Sequence, residues 1–165
     1  MTDKKYIEQF INRAEEIFNN NKTFCKLLTY DDLNGAVIPS IIEICLLDAF
    51  EEKYGSRVMH GAESTGHDIE HRTFKNIAME VKATSNIKGL KFCQNICNGD
   101  DKFPDKDKKI NHIFIAFTKD LSADTPKIFF KKVLFGAVSY NDWHPHGRSM
   151  YITKKNLKNN CITIR

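Results

Sequence analysis

Residues 66–86 read GHDIEHRTFKNIAMEVKATSN, and the pattern in this stretch decides the fold. From Ile77 to Thr84 apolar and polar residues alternate, which is the period of a half-buried β-strand. We expect a preceding strand around residues 66–71 and a turn near residues 73–76, so the stretch predicts a β-hairpin. One face of its second strand is apolar, and the other carries a carboxylate and an ammonium two residues apart.

Helices are predicted before this hairpin and strands after it. Apolar residues recur with a spacing near 3.6 over residues 4–20, which indicates an amphipathic helix. A second, almost wholly apolar helix is expected over residues 39–54, ended by Gly55. A short helix is expected over residues 90–97, and further strands are expected at 113–117, 128–137, 150–153 and 162–164. This order predicts a single α/β domain over residues 1–165, with a mixed β-sheet flanked by helices.

The 165-residue chain has the composition of an ordinary globular protein, with 41% hydrophobic residues. This composition excludes wholesale disorder, collagen and coiled coils. The longest apolar runs are far shorter than a membrane span, and the polar start MTDKKYIEQF is unlike a signal peptide. Five cysteines, an odd number, fit reduced thiols better than a disulfide framework, so we expect a cytoplasmic protein with no membrane partner.

Basic charge is concentrated in the second half of the chain. Residues 1–80 carry nine Lys/Arg and fourteen Asp/Glu, a net charge of −5, whereas residues 81–165 carry sixteen and seven, a net charge of +9. A basic half of this size favours a polyanionic partner such as nucleic acid. The alternative is a compositional bias, because lysine, asparagine, isoleucine and phenylalanine are all abundant here.

The polar face of the hairpin has the residue types that phosphodiester hydrolysis needs. Mg²⁺ takes oxygen ligands, and Asp68 and Glu80 on adjacent strands are placed to share one ion. The carbonyl of Val81 is a candidate third ligand if that strand edge is open. Side chains two apart on a strand share a face, so we expect Lys82 beside Glu80, where its ammonium can orient a water and contact phosphate. The alternative is a surface salt bridge on a half-exposed sheet.

The bare spacing is not specific, because an acidic residue two positions before a lysine occurs five times in the chain. The other four pairs are Asp3/Lys5, Glu51/Lys53, Asp100/Lys102 and Asp107/Lys109. Only Glu80/Lys82 lies on an alternating strand that follows an aspartate on a preceding strand.

Residues 66–86 resemble the PD-(D/E)xK nuclease superfamily, and the small chain looks most like a type II restriction endonuclease. The resemblance implies a restriction-endonuclease-like fold in which Asp68 and Glu80 bind Mg²⁺ and Lys82 is the catalytic lysine. It further implies cleavage of double-stranded DNA to leave 5′-phosphates, with a DNA methyltransferase as the companion of the system. His67 stands where the family motif often has proline.

Asn98 follows Gln94 by four residues where the RecB-like exonuclease branch has tyrosine, so an endonuclease is the expectation. One protomer holds one site, and cutting both strands of a palindrome calls for a twofold homodimer. The helices over residues 4–20 and 39–54 are candidate dimer surfaces.

Two further acidic residues lie near the predicted site. Glu43 has two interpretations: a site glutamate, which restriction endonucleases often place on the helix before the hairpin, or the partner of Ser40 in a capping box. Glu70 shares a strand face with Asp68 and has two interpretations, an accessory ligand or a solvated face residue, of which we expect the second.

DNA contacts are predicted in the basic half. Lys88 and Lys91, just past the catalytic strand, and Lys154 and Lys155 are candidate phosphate contacts. The segment 139–148, SYNDWHPHGR, is predicted to be a base-reading loop, since asparagine and arginine make bidentate base contacts. Its candidate DNA-binding residues are Asn141, His144, His146 and Arg148. The alternative is an ordinary turn with Trp143 buried.

Two rival functions remain open at this point. A Holliday-junction resolvase or repair nuclease would keep the fold and need no base-reading loop. A non-enzymatic DNA-binding module would use the carboxylates only structurally.

Overall fold

The computed structural model describes residues 4–55, 58–60, 68–71, 78–95, 106–147 and 149–165, with the backbone alone for 58–60, 71, 94 and 95. The helices are α1 (Lys4–Asn20), α2 (Lys22–Leu27), α3 (Val37–Tyr54) and α4 (Lys154–Asn160), and 3₁₀ turns span Asp31–Asn34 and Tyr140–Asp142. The strands are β1 (Val58–His60), β2 (Ile69–His71), β3 (Met79–Thr84), β4 (Phe92–Asn95), β5 (Ile110–Asp120), β6 (Lys127–Val138), β7 (Trp143–His146), β8 (Ser149–Ile152) and β9 (Cys161–Thr163).

The strands form two sheets. The larger has the order β1-β2-β3-β5-β6-β9, and the smaller has the order β4-β8-β7. The β3–β5 pair is parallel, and every other described pair is antiparallel. The predicted α/β class, with a mixed sheet and helices, is therefore confirmed.

Helices α1 and α3 cover one face of the large sheet. The two helices pack on each other, with the rings of Phe10 and Phe50 stacked at a centroid distance of 4.0 Å. Burying one such side chain contributes about 1.5–3 kcal/mol. The apolar stripe of α1 consists of Ile7, Phe10, Ile11, Ala14 and Phe18. These residues lie in the chain's own core, so the stripe is not free to form a dimer surface.

The small sheet covers the opposite face of the large sheet. Its buried residues pack against Phe114 and Leu134 and form a second core; they are Phe92, Trp143, Met150 and Ile152. The large sheet is thus sandwiched between a helical layer and a β layer.

The predicted hairpin is confirmed as an antiparallel β2–β3 pair with Ile69 opposite Met79, and residues 72–77, which contain the predicted turn, lie outside the described part. The predicted helix over residues 90–97 is wrong. Residues Phe92–Asn95 are a strand that pairs with β8, because this pairing buries Phe92 in the second core while Cys93 faces solvent.

Helix α3 begins at Val37, two residues before the expected position. It ends as predicted, at a Gly55 whose φ of 69° lies in the left-handed region that favours glycine. Although it is almost wholly apolar, α3 is not buried all round, because Val37 and Ile44 are exposed.

The later strands are longer or shifted relative to the expected ranges, and α4 was not predicted.

Among the residues described, no helix is long and apolar enough to cross a membrane.

Candidate functional site

Strand β3 sends its side chains alternately to the two layers. Met79 and Val81 join the core under the helices. Glu80 and Lys82 point to the other face, where their neighbours on the parallel strand β5 are His112 and Phe114. We call Asp68, Glu80, the Val81 carbonyl and Lys82 the metal-ligand cluster. It lies on the face of the large sheet that carries the small sheet, at the side where β2 extends the large sheet.

Three oxygens converge on the ammonium of Lys82. Its Nζ lies 3.0 Å from Oε2 of Glu80, 3.4 Å from Oδ2 of Asp68 and 3.1 Å from the carbonyl oxygen of Val81. These are the three ligands that the sequence predicts for a metal ion. The structure brings them to one cation position, which the lysine ammonium fills.

In the part of the chain that the structure describes, β2 is not paired with β3 at Val81. The described β2–β3 pairing ends at Met79, and the Val81 amide donates instead to Oδ2 of Asp68 at 2.7 Å. The backbone N–H and C=O of one strand residue point to the same side, so the Val81 carbonyl is directed toward Asp68 as well. Val81 therefore stays a candidate third ligand, with its carbonyl oxygen 3.1 Å from Nζ of Lys82.

The cluster is buried. Glu80 has 0% of its surface exposed and Asp68 has 9%, so the alternative of a salt bridge on a half-exposed sheet does not hold. Burial lowers the pKa of Lys82, but the charges and hydrogen bonds of Asp68 and Glu80 outweigh burial and leave that pKa above its ordinary value. In this arrangement the lysine is a cation at neutral pH.

These oxygens fit a hard divalent cation. Mg²⁺ binds one or two carboxylates at about 2.0–2.1 Å and keeps waters or substrate phosphate in its other positions. Two carboxylates and one carbonyl suit that pattern, provided that the ammonium moves aside. Within the described ranges, no group of three or more His, Cys, Asp or Glu residues could hold a metal.

Two neighbours enlarge the cluster. Glu70 is buried with 7% exposure, so the expectation that it is solvated is wrong. His112 is fully buried beside Glu80, and its Nδ1 lies 2.8 Å from the Ile110 carbonyl oxygen. Sequence reasoning missed His112 because it started β5 at Ile113; the signal was a histidine within an apolar run.

Glu43 is not part of a capping box. Helix α3 starts at Val37, and the Ser40 amide already donates to the Ala36 carbonyl inside the first turn. Glu43 is half-buried on a helix that packs against the Met79 and Val81 face, so it would have to approach the cluster around the end of the sheet.

The predicted phosphate contacts divide into two groups. Lys91 and Lys154 line one open cleft of about 420 Å³, together with His146. Lys88 and Lys155 are exposed, on the turn after β3 and on α4.

The predicted base-reading loop is a 3₁₀ turn followed by strand β7, which pairs with β8. Trp143 is buried, as the alternative interpretation required, whereas His144 and His146 are exposed. Asn141 donates from its side chain to Asp107 at 2.8 Å, which holds it against a neighbouring turn. Arg148 lies outside the described residues.

No protein-family model, no curated protein and no solved structure matches this chain.

Proposed function

We propose that this protein is a Mg²⁺-dependent endodeoxyribonuclease with a restriction-endonuclease-like fold. It hydrolyses phosphodiesters of double-stranded DNA and leaves 5′-phosphates, as a type II restriction enzyme does. The observation that carries the proposal is the convergence of Asp68, Glu80 and the Val81 carbonyl on one buried cation position, which the Lys82 ammonium occupies.

Each residue of the cluster has a distinct task. Asp68 and Glu80 hold the ion, and the Val81 carbonyl completes the protein's share of ligands. The bound ion neutralises charge on the phosphate and lowers the pKa of a water. Lys82, displaced from the centre of the cluster, contacts the phosphate and orients the attacking water.

Attack on phosphorus breaks the bond to the 3′ oxygen, which leaves as a hydroxyl. The phosphate then stays on the 5′ oxygen of the following nucleotide, at the 5′ end of the downstream fragment. Burial of Glu80 strengthens these electrostatic interactions, because they act in a medium less polar than water.

The wider setting follows from this chemistry. Each chain supplies one site, so cleavage of both strands calls for a homodimer. A DNA methyltransferase would protect host sites, and the pair would act in the cytoplasm. Glu43 is a candidate accessory residue of the site.

Digestion of a long defined DNA tests the proposal. With Mg²⁺ the native protein should yield discrete fragments with 5′-phosphates. Glu80→Gln should cut at least about a hundredfold more slowly, since changes even outside the ligand shell of a metal cost 10–100-fold. Ca²⁺ should support binding without cleavage.

Glu51→Gln is the matched control, because Glu51 and Lys53 have the same spacing on an exposed part of helix α3. It should cut like the native protein. Selective cutting of four-way junctions would instead identify a resolvase, and binding without cutting by both the native protein and Glu80→Gln would identify a DNA-binding module.

A further inference from the structure

The cleft beside the small sheet has the lining of a nucleotide site. It measures about 420 Å³, within the size range of small-ligand sites. Its described lining residues include Lys91, Lys154, His146 and Tyr151, and none of them is an aspartate or a glutamate. Two ammonium groups beside an aromatic ring match the phosphate and the base of one nucleotide.

Tyr151 is held in place by its neighbours. Its ring lies 5.9 Å from the His144 ring and 6.0 Å from the His146 ring, measured between centroids. Nζ of Lys91 stands over the ring at 6.0 Å, the outer limit of a cation–π contact. The ammonium is therefore held weakly and is able to turn toward a phosphate.

The cleft lies close to the metal-ligand cluster along the chain. Asn86, in its wall, follows Lys82 by four residues, so their Cα atoms are at most about 14 Å apart. The Asn86 amide donates to Oγ1 of Thr84 at 3.2 Å within this connection, and the Asn86 side-chain oxygen accepts from the Gly89 amide at 2.6 Å in the turn that follows. A DNA strand with a phosphate bound at the metal-ligand cluster therefore passes the cleft within a few nucleotides of that phosphate.

We infer that this cleft binds one nucleotide of the substrate strand whose base has left the helical stack. The base stacks on Tyr151, and its phosphate lies between Lys91 and Lys154. The inference rests on the proposed function only in taking DNA as the ligand. It adds a substrate preference, because an unpaired nucleotide enters such a site at the lowest unstacking cost.

Fluorescence anisotropy with Ca²⁺ tests this inference without cleavage. The probes are a labelled duplex and the same duplex with one unpaired thymidine. The native protein should bind the second probe more tightly. Tyr151→Leu should lose about tenfold in affinity for it and bind both probes alike. The double variant Lys91→Ala/Lys154→Ala should reduce the slope of log affinity against log salt by about two.

Two matched controls should behave like the native protein. Tyr30→Leu removes an exposed tyrosine elsewhere, and Lys131→Ala removes a lysine that stands over the Phe129 ring at 5.1 Å. A second readout is cross-linking of DNA with 5-iodouracil at the unpaired position, followed by peptide mapping. The adduct should fall on Tyr151.

The outcomes separate the two proposals. A thermal unfolding curve first shows that Tyr151→Leu is folded. If the native protein cuts DNA but this variant keeps the native affinity for both probes and the native preference for the unpaired thymidine, the inference is overturned and the nuclease stands. If Tyr151→Leu loses the preference but the native protein never cuts, the nuclease is overturned and the nucleotide site stands. An adduct away from the cleft overturns the site, and absence of DNA binding overturns both.

Discussion

The ammonium of Lys82 lies 3.0 Å from a carboxylate oxygen of Glu80, a residue with no exposed surface. Asp68 approaches the same nitrogen to 3.4 Å. Two carboxylates thus share one internal cation. The Lys82 ammonium compensates the charge of the two carboxylates at the position where a divalent ion is proposed to bind. The free energy of unfolding and the affinity for the ion should therefore both depend on Lys82.

Lys82→Met should destabilise the protein strongly in the presence of EDTA. Removing one partner of a buried ion pair leaves uncompensated charge and costs about 3–5 kcal/mol, measurable by urea unfolding. Mg²⁺ should then raise the melting temperature of Lys82→Met more than that of the native protein, because the ammonium no longer competes for the oxygens. The double variant Glu80→Gln/Lys82→Met serves as control and should recover part of the lost stability. Equal shifts with Mg²⁺ in both proteins would contradict a shared cation position.

Asp68 should show two separable roles. Asn in its place keeps an oxygen that accepts the Val81 amide, which Asp68 now binds at 2.7 Å, whereas Ala leaves that amide without this acceptor. Both substitutions should abolish cleavage, since both remove a ligand charge. Asp68→Ala should unfold at a lower urea concentration than Asp68→Asn, because its free energy of unfolding should be lower by about 1–2 kcal/mol. If the two variants are equally stable, the hydrogen bond has no role in joining Asp68 to β3.

The polar face of β3 could be predicted because alternation is a local property of the sequence. Glu80 and Lys82 share a face whatever their neighbours are. The convergence on one nitrogen could not be predicted in the same way. It depends on the short β2–β3 pairing, whose described part ends at Met79, and on the Val81 amide, which donates to the Asp68 side chain.

The missed elements depend on contacts distant in sequence. Phe92–Asn95 is a strand because it pairs with β8, and a four-residue apolar-polar run by itself suits either a helix or a strand. His112 reaches Glu80 only through the parallel β3–β5 register, which no local pattern specifies. The turn-forming residues of segment 139–148 predicted a loop. Trp143 is instead buried in the second core, and the backbone from Trp143 onward is strand β7, which pairs with β8.

Thiol reactivity should report on the native fold. Burial raises the pKa of the Cys45 thiol to about 12 and that of Cys161 to about 11, so at pH 8 neither forms much thiolate, the reactive species. Cys93 is exposed. Iodoacetamide at pH 8, followed by peptide mapping, should modify Cys93 rapidly and Cys45 only after unfolding in urea.

The Cys93→Ser variant controls for this assignment and should lose the rapid label at position 93. Rapid labelling of Cys45 in the folded protein would show that the helical core opens readily. Cys97 lies outside the described residues and shares the 92–102 tryptic peptide with Cys93, so fragmentation of that peptide assigns the label to one of the two thiols.

Gly136→Ala should disrupt the edge of the large sheet. A Cβ at Gly136 would lie 2.6 Å from the Cys161 Cα and closer still to the Asn160 carbonyl oxygen, where α4 meets β9. Both are backbone atoms, so the strand must shift, at a cost of about 1–3 kcal/mol or more. Gly35→Ala is the matched control: its Cβ would meet nothing within 4 Å, and its φ of −79° suits alanine. Urea unfolding should show a loss of stability for Gly136→Ala and no loss, or a small gain, for Gly35→Ala. A native midpoint for Gly136→Ala would mean that β9 is not held against β6 as closely as the pairing of Gly136 with Cys161 requires.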